Sequence, residues 1–214
     1  MNLRYVLVMV LTGAIRLVCG ASSRSLAPLS AEGQHIYFAN HTSNLDAVVL
    51  WSALPPEIRL QTRPVAARDY WEKNRIRRFL ATRVFNAILI QRAGHSGEAG
   101  SAREVLSTFN SMVEAIGTDA SLIIFPEGMR GDGEQVLPFK AGIYHIAKRR
   151  PDVKFVPAHI DNLGRILPKH EILPVPLLTT VRFGLPMQLE EGESKQEFLD
   201  RARGALIALG DQSC

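Results

Sequence analysis

Cysteine is nearly absent from this chain of 214 residues, which contains only Cys19 and Cys214, near opposite ends of the sequence. Two cysteines so far apart match neither a zinc-ligand spacing nor a disulfide framework. A reducing cytosolic environment is the simpler interpretation, and the chain gives no reason to expect a metal site.

Long apolar runs are also missing. The uncharged, mostly apolar run at residues 5–15 has eleven residues and is flanked by Arg4 and Arg16, whereas a membrane-spanning helix needs about 20. A secretory signal fits poorly, because Arg16 interrupts the run and Val18-Cys19-Gly20 is a poor cleavage site. We expect residues 1–20 to form an apolar helix lying in the membrane interface, and the alternative is a helix packed on the domain.

The composition shows no low-complexity tract and no internal repeat, and its 46% apolar and 21% charged residues are typical of a globular protein. We expect one domain, spanning residues 28–210, after the N-terminal segment. A net charge of +4 and a pI near 9.3 are compatible with an anionic membrane surface or a nucleic acid. The chain contains no nucleic-acid-binding motif, so we expect no nucleic-acid partner.

Short apolar runs alternate with longer helical patterns along the chain, and this alternation predicts an α/β fold. We expect a single-domain, mainly parallel mixed sheet flanked by helices, with Pro64 placing its strand near a sheet edge. Residues 162–176 are predicted to be a loop. The predicted strands cover residues 34–39, 60–66, 87–91, 121–125, 154–158 and 178–183, and the predicted helices cover 44–54, 69–85, 101–117, 139–149 and 194–209.

His41 and Asp46 are the first candidates for chemistry. Of the six histidines, only His41 has an aspartate five residues further on. An imidazole, whose ordinary pKa is about 6.5, oriented by a nearby carboxylate can act as a general base. The alternative is a helix start in which Ser43-x-x-Asp46 is only a capping box, with the Ser43 hydroxyl as its cap. That alternative leaves His41 unexplained.

Charged residues also follow two other predicted strands. Arg92 comes after the strand at 87–91, and Glu127-Gly128 with Arg130 comes after the strand at 121–125. Ligand sites of open α/β sheets gather at the carboxyl ends of strands. Arg92 and Arg130 supply cations, and Glu127 an acid, that can hold a charged substrate, while Gly128 allows the backbone to approach a ligand closely. The alternative is a surface ion pair between Glu127 and Arg130.

Four ordered blocks of this sequence resemble the glycerolipid acyltransferases, and most closely the bacterial 1-acylglycerol-3-phosphate acyltransferases. The resemblance extends from about residue 33 to about residue 187. Met129 stands where that family usually has Thr, Gly131 where Ser is frequent, and Gln91 where an acidic residue often precedes the arginine. The blocks are Asn40-His-Thr-Ser-Asn-Leu-Asp46, Ile90-Gln-Arg92, Phe125-Pro-Glu-Gly-Met-Arg130 with Pro138-Phe-Lys-Ala-Gly142 behind it, and Val156-Pro157.

The resemblance implies a fatty acyl transfer from acyl carrier protein or coenzyme A to the free hydroxyl of 1-acylglycerol 3-phosphate. His41 would be the general base and Asp46 its orienting acid, with the thioester as a co-substrate and no bound cofactor. Arg92, Arg130 and the weaker candidate Lys140 would hold the phosphate, and Glu127 would accept from a glycerol hydroxyl or position an arginine.

The acceptor hydroxyl is itself the nucleophile in such a reaction, so no serine or cysteine nucleophile is required. Consistently, Gly94-His-Ser-Gly-Glu98 only approaches a nucleophile elbow, because Glu98 stands in place of the last glycine. The alternatives are another acceptor, such as glycerol 3-phosphate, a different lysophospholipid or a lyso-ornithine lipid; a lipid or thioester hydrolase; and a non-catalytic lipid-binding protein.

Residues 70–85 carry apolar side chains at helical spacing among basic ones, a pattern that suits anionic lipid. The alternative is a solvated outer face on a core helix. Together with the N-terminal helix, this segment predicts a peripheral or monotopic protein on the cytoplasmic face of the cell membrane. The apolar residues are Ile76, Phe79, Leu80 and Val84, and the basic residues are Lys73, Arg75, Arg77, Arg78 and Arg83.

Overall fold

A computed structural model describes residues 3–91, 109–110, 112–114, 116–117, 119–161 and 179–211. Its strands are β1 (Ser22–Ser25), β2 (His35–Ala39), β3 (Thr62–Ala67), β4 (Ile88–Ile90), β5 (Ser121–Ile124), β6 (Lys154–Ile160) and β7 (Thr180–Phe183). Its helices are α1 (Leu3–Cys19), α2 (Asp46–Ala53), α3 (Pro56–Gln61), α4 (Arg68–Trp71), α5 (Arg75–Phe79) with a π-helical turn (Leu80–Val84), α6 (Gly142–Arg149) and α7 (Lys195–Asp211).

The seven strands form one sheet in the order β1-β7-β6-β2-β5-β3-β4. The five strands from β6 to β4 run parallel, while β7 is antiparallel to β6 and parallel to β1. This arrangement confirms the predicted α/β fold with a mainly parallel mixed sheet. Strand β3, which contains Pro64, lies next to the edge strand β4.

The central strands are buried on both faces, which explains why they appear in the sequence as continuous apolar runs. All five residues of β2 and all four residues of β5 are buried. Alternate residues of β2 enter different halves of the core: Tyr37 lies in the half that contains α2, and Phe38 lies in the half that contains α7. The carboxyl ends of β2 and β5 are adjacent, and the candidate residues follow those ends.

The helix predicted over 44–54 begins two residues late, at Asp46. Its N-cap residue is Leu45, whose side chain makes no capping bond, but the Ser43 hydroxyl accepts the Leu45 backbone N–H at 3.3 Å, as the predicted cap requires. Asp46 also turns its carboxylate back toward the preceding loop and accepts the Ser43 backbone N–H at 2.9 Å. The acid and the serine therefore both bind backbone N–H groups of the turn before α2.

The single helix predicted over 69–85 is also wrong, because the chain leaves the helical conformation between α4 and α5. Asn74 is extended, with φ −147°, and its side chain accepts the Arg77 N–H at 2.8 Å, which starts α5. The capping box predicted at Ser194 and Glu197 is confirmed by reciprocal bonds of 2.8 and 3.3 Å.

Two elements were not predicted from the sequence. Helix α3 begins at Pro56, the second residue of the proline pair, because proline is tolerated in the first turn of a helix. Strand β1 is fully exposed and has no apolar pattern, so only its pairing with β7 defines it. Most of the helix predicted over 101–117 and all of the loop predicted over 162–176 lie outside the described residues.

Helix α1 packs on the domain along one face. Val8 and Thr12 are buried there, the Arg59 Nη1 donates to Thr12 Oγ1 at 3.3 Å, and Arg16 Nη2 donates to the Ser52 carbonyl at 2.9 Å. The opposite face of α1 is exposed to solvent. Among the described residues, no helix combines the length and hydropathy that crossing a bilayer requires.

Candidate active site

His41 and Asp46 form a hydrogen-bonded pair in the loop between β2 and α2. His41 Nδ1 and Asp46 Oδ2 lie 2.8 Å apart, with the Asp46 side chain fully buried and that of His41 21% exposed. The same oxygen accepts the backbone N–H groups of Thr42 and Ser43, at 2.6 and 2.9 Å. The bond from the Ser43 backbone N–H to Asp46 is one of the two bonds of the predicted capping box. The same carboxylate therefore shapes the turn and orients the imidazole.

This geometry determines which nitrogen of His41 is available. An ionised carboxylate can only accept hydrogen bonds, so Nδ1 is the protonated nitrogen in the pair and Nε2 keeps its lone pair. A tautomer held in this way is what a general base requires. The pair can therefore remove a proton from a hydroxyl placed at Nε2.

Phe125 covers one face of the His41 ring. The two ring centroids are 4.4 Å apart and the planes are inclined by 22°. This stack prevents the imidazole from turning away from Asp46, and an aromatic face also favours a cation when the imidazole is protonated. Sequence reasoning assigned Phe125 no role, because only the adjacency of β2 and β5 places it beside His41.

Glu127 ties the loop after β5 to the loop after β2. Its side chain is buried, its Oε1 accepts the His41 backbone N–H at 2.7 Å and its Oε2 accepts the Leu137 N–H at 2.8 Å. Burial raises the pKa of the Glu127 carboxyl, while these two N–H donors oppose that shift. The Gly131 N–H donates to the His41 carbonyl at 2.8 Å. The segment 127–131 therefore holds both backbone polar groups of His41.

The alternative of a surface ion pair between Glu127 and Arg130 is wrong. Glu127 is 2% exposed, and in the described part of the chain its carboxylate binds backbone N–H groups and no guanidinium. Each of its oxygens accepts one of these bonds. Its predicted contact with a glycerol hydroxyl stays a prediction.

Gly128 and Lys140 lie against each other beside Glu127. Gly128 has φ +73°, and a Cβ there would come 3.2 Å from Lys140 Cγ, so a side chain would be both strained and crowded. The Lys140 N–H donates to the Pro126 carbonyl at 2.8 Å. The structure thus brings six candidate residues to the carboxyl ends of the central strands β2 and β5: His41, Asp46, Glu127, Gly128, Arg130 and Lys140. Arg92 lies outside the described residues.

Asn40 is a further structural residue of the site that sequence reasoning did not single out. Its buried side-chain amide donates to the Ile160 carbonyl at 3.0 Å and accepts the Ile160 N–H at 2.8 Å. These two bonds join the carboxyl ends of β2 and β6 immediately before His41. The sequence signal for such a residue is an amide side chain directly after an apolar strand, because an amide buried there needs hydrogen-bond partners.

The family model described as Acyltransferase matches residues 22–161 of this chain. The chain belongs to the acyltransferase family. The matched range contains all seven candidate residues, from His41 to Lys140. Two of the ordered motifs, which contain His41 and Glu127, therefore lie both within the matched range and at the carboxyl ends of β2 and β5.

One relative of this chain is the 1-acyl-sn-glycerol-3-phosphate acyltransferase of Escherichia coli (strain K12), which is 30% identical over 128 residues. The match covers 56% of this chain and 45% of that relative, so the chain spans about half of the relative's length. The fold is similar to the crystal structure of the 1-acyl-sn-glycerophosphate acyltransferase PlsC from Thermotoga maritima. That likeness has a TM-score of 0.74 at 16% identity and covers 99% of this chain and 81% of the other.

Glu127→Gln is expected to lower the free energy of unfolding by about 1–3 kcal/mol, the cost of leaving one buried backbone N–H without an acceptor. The amide replaces one of two accepting oxygens by a donor, so it cannot satisfy both His41 and Leu137. Urea unfolding measures the loss, and Glu134→Gln, at an exposed position of the same loop, is the matched control. Equal stability of both variants would show that the two bonds contribute nothing.

Proposed function

We propose that this protein transfers a fatty acyl chain from an acyl thioester to the free hydroxyl of 1-acylglycerol 3-phosphate, making phosphatidate in phospholipid biosynthesis. The observation that carries the proposal is the 2.8 Å bond between His41 and Asp46. Glu127 and Gly131 bind the His41 backbone and so join this loop to residues 127–131, which include Arg130. Membership of the acyltransferase family and the activity named for the Escherichia coli relative support it.

His41 Nε2 takes the proton of the acceptor hydroxyl as that oxygen attacks the thioester carbonyl carbon. The new C–O bond forms and the C–S bond breaks, with its electron pair leaving on sulfur, and the imidazolium returns the proton to the thiolate. Asp46 stabilises the imidazolium while the proton is held. The thioester is already activated, so acyl carrier protein or coenzyme A takes part as co-substrate and no bound cofactor is needed.

Arg130 and Lys140 supply the positive charge that an acceptor phosphate requires. Arg130 is half-buried and directly precedes Gly131, whose N–H binds the His41 carbonyl. A guanidinium binds phosphate with two parallel bonds, and Lys140 adds a point charge beside Gly128. On sequence grounds we propose Arg92 as a second guanidinium for the same phosphate.

Thiol release from one labelled acyl thioester, measured with and without each member of a lysolipid panel, tests this function. Acceptor-dependent release, with labelled phosphatidate formed from 1-acylglycerol 3-phosphate, is the expected result. Release without any acceptor would identify a hydrolase. The absence of release would identify a lipid-binding protein. Release with another acceptor alone would keep the acyl transfer but replace the acceptor.

We also propose that the protein lies on the cytoplasmic face of the cell membrane, as a peripheral or monotopic protein in contact with anionic lipid. The support is the exposed face of α1, where Met9 is 47%, Val10 66% and Leu17 85% exposed. Ile76 and Phe79 of α5 are exposed as well, among exposed arginines. Apolar groups surrounded by basic ones suit the headgroup region of an anionic bilayer.

Val10→Glu with Leu17→Glu is expected to weaken binding to anionic vesicles roughly tenfold or more, because two apolar side chains would no longer enter the interface. Vesicle co-sedimentation measures the binding. Turnover of a short-chain, water-soluble acceptor should stay unchanged, because the buried face of α1, with Val8 and Thr12, is left intact. The matched control is Leu26→Glu, at a 55% exposed position outside this face. Undiminished vesicle binding of the double variant would contradict the proposal.

A further inference from the structure

Arg203 of α7 binds the loop that follows β5. Its Nε and Nη2 both donate to the Val136 carbonyl, at 3.0 and 2.6 Å. The two residues are 67 positions apart, so the contact is invisible in the sequence. Arg203 also lies beyond residue 161, where the match to the family model ends.

The peptide that Arg203 binds is the one that holds Glu127. The Val136 carbonyl and the Leu137 N–H belong to one planar peptide unit, and the Leu137 N–H donates to Glu127 Oε2 at 2.8 Å. Glu127 Oε1 in turn accepts the His41 backbone N–H at 2.7 Å. An unbroken series of hydrogen bonds therefore runs from the guanidinium, through one peptide and one carboxylate, to the backbone of His41.

Opposite charges on the two sides of this peptide strengthen both of its bonds. A cation at the carbonyl oxygen polarises the peptide and makes its N–H a better donor, and bonds to charged partners are stronger than neutral ones. Burial raises the pKa of the Glu127 carboxyl, and the Leu137 N–H is foremost among the donors that oppose this shift. Loss of Arg203 therefore weakens the hold of the loop on Glu127.

The place of the His41 backbone decides where Nε2 lies. Asp46 orients the ring through Nδ1, whereas Glu127 and Gly131 hold the N–H and the carbonyl of the residue itself. A general base must lie within hydrogen-bond reach of the proton that it removes, and a shift of about 1 Å can cost roughly 100-fold in rate. A small displacement of Glu127 is therefore expected to appear in kcat.

We propose that Arg203 is a positioning residue for the acyl transfer, acting on His41 through the Val136–Leu137 peptide and Glu127. This inference rests on the proposed function and deepens it, because it gives α7 a part in the reaction at the ends of β2 and β5. An arginine that only fastened the loop to α7 would contribute to stability and leave the rate unchanged.

Arg203→Met tests this role, because it keeps an unbranched side chain and removes the donors. We expect kcat to fall about tenfold, with the KM of both substrates within about twofold of the unaltered values. The reason is that, in the described part of the chain, the hydrogen bonds of Arg203 go to Val136 alone. Arg203→Lys keeps one donor and should recover part of kcat. If Arg203→Met does not fold, the lysine variant carries the same comparisons with a smaller loss.

Arg201→Met is the matched control. Arg201 lies on the same helix, is also half-buried, and donates to the Gln188 carbonyl at 2.8 Å and to Glu193 at 2.7 Å. These partners belong to the segment before α7 and not to the loop after β5. The control is expected to lose stability and to keep its kcat.

A double-mutant cycle on kcat shows whether Arg203 acts through Glu127. In Glu127→Gln the amide has one accepting oxygen, which can take the N–H of His41 or of Leu137 but not both, so the series is broken in either orientation. Arg203→Met should therefore lower kcat by less than about twofold in this background. The same tenfold loss in both backgrounds would contradict the proposal.

Amide hydrogen exchange supplies a measurement that needs no turnover. The N–H groups of Leu137 and His41 should exchange about tenfold faster in Arg203→Met than in the unaltered protein or in Arg201→Met. Unchanged exchange, unchanged kcat, an effect confined to KM or an equal loss of kcat in Arg201→Met would each overturn the proposal.

The unaltered protein decides the proposed function independently of these variants. If it releases thiol without an acceptor, acyl transfer is wrong, and the Arg203 comparison is made on hydrolysis, where His41 would activate water from the same place. If it turns over no thioester, the proposed function fails, and exchange alone supports or overturns the hold of Arg203 on His41.

Discussion

His41→Ala is expected to lower kcat by about 10²–10⁴-fold, the usual contribution of a general base. The variant loses the nitrogen that takes the hydroxyl proton, while the loop keeps its shape, because Glu127 and Gly131 bind the backbone of residue 41 and not its side chain. The KM of the acceptor should change little for the same reason. Steady-state turnover with a saturating thioester measures the effect.

His145→Ala is the matched control for this variant. His145 is an exposed histidine on α6 whose ring contacts Phe109 and Tyr144. It should keep full turnover. A His41→Ala protein with an unfolding curve and a turnover close to those of the unaltered chain would remove His41 from the mechanism.

Asp46→Asn is expected to lower kcat by about 10³–10⁴-fold, although the new side chain has almost the same shape. The amide oxygen can still accept the N–H groups of Thr42 and Ser43, so the turn before α2 should survive. The imidazolium formed during the reaction, however, would no longer face a negative charge. In the flipped orientation the amide nitrogen would take the place of Oδ2, which faces Nδ1 as well as both N–H groups. It would then select the tautomer that leaves Nε2 protonated and would lose the bonds to Thr42 and Ser43.

The stability of Asp46→Asn should fall by about 1–2 kcal/mol, because hydrogen bonds to a charged acceptor are roughly twice as strong as those to a neutral one. Asp200→Asn, at an exposed position of α7, is the control and should change neither turnover nor unfolding. If Asp46→Asn lost stability but retained its turnover, Asp46 would be an organiser of the turn alone, which is the capping-box interpretation.

Much of the fold could be predicted from local patterns. The buried strands β2, β5 and β6 are short apolar runs, and their residues were predicted to within two positions. The elements that failed depend on contacts distant in sequence. Strand β1 has four exposed residues and exists through its pairing with β7. The break between α4 and α5 is set by a single capping side chain at Asn74 within a continuous apolar periodicity.

The residues of the site likewise divide into those predictable from local spacing and those that depend on contacts distant in sequence. The spacing of His41 and Asp46 predicted their contact, because a tight turn between a strand and a helix brings residues five apart together. The role of Glu127 was not predictable from its neighbours in sequence. Its partners, the N–H groups of His41 and Leu137, are 86 and 10 residues away, and only the side-by-side placement of β2 and β5 brings the former within 2.7 Å.

The amino-acid sequence by itself determined the alternating fold class, the His41–Asp46 pair and the family to which the chain is similar, since each of these follows from residue types at short, ordered spacings. Only the tertiary structure decided that Phe125 stacks on the imidazole and that Glu127 is buried against the His41 backbone. The physical reason is that these contacts join loops at the ends of neighbouring strands, and the order of strands in a sheet is set by packing of the whole chain.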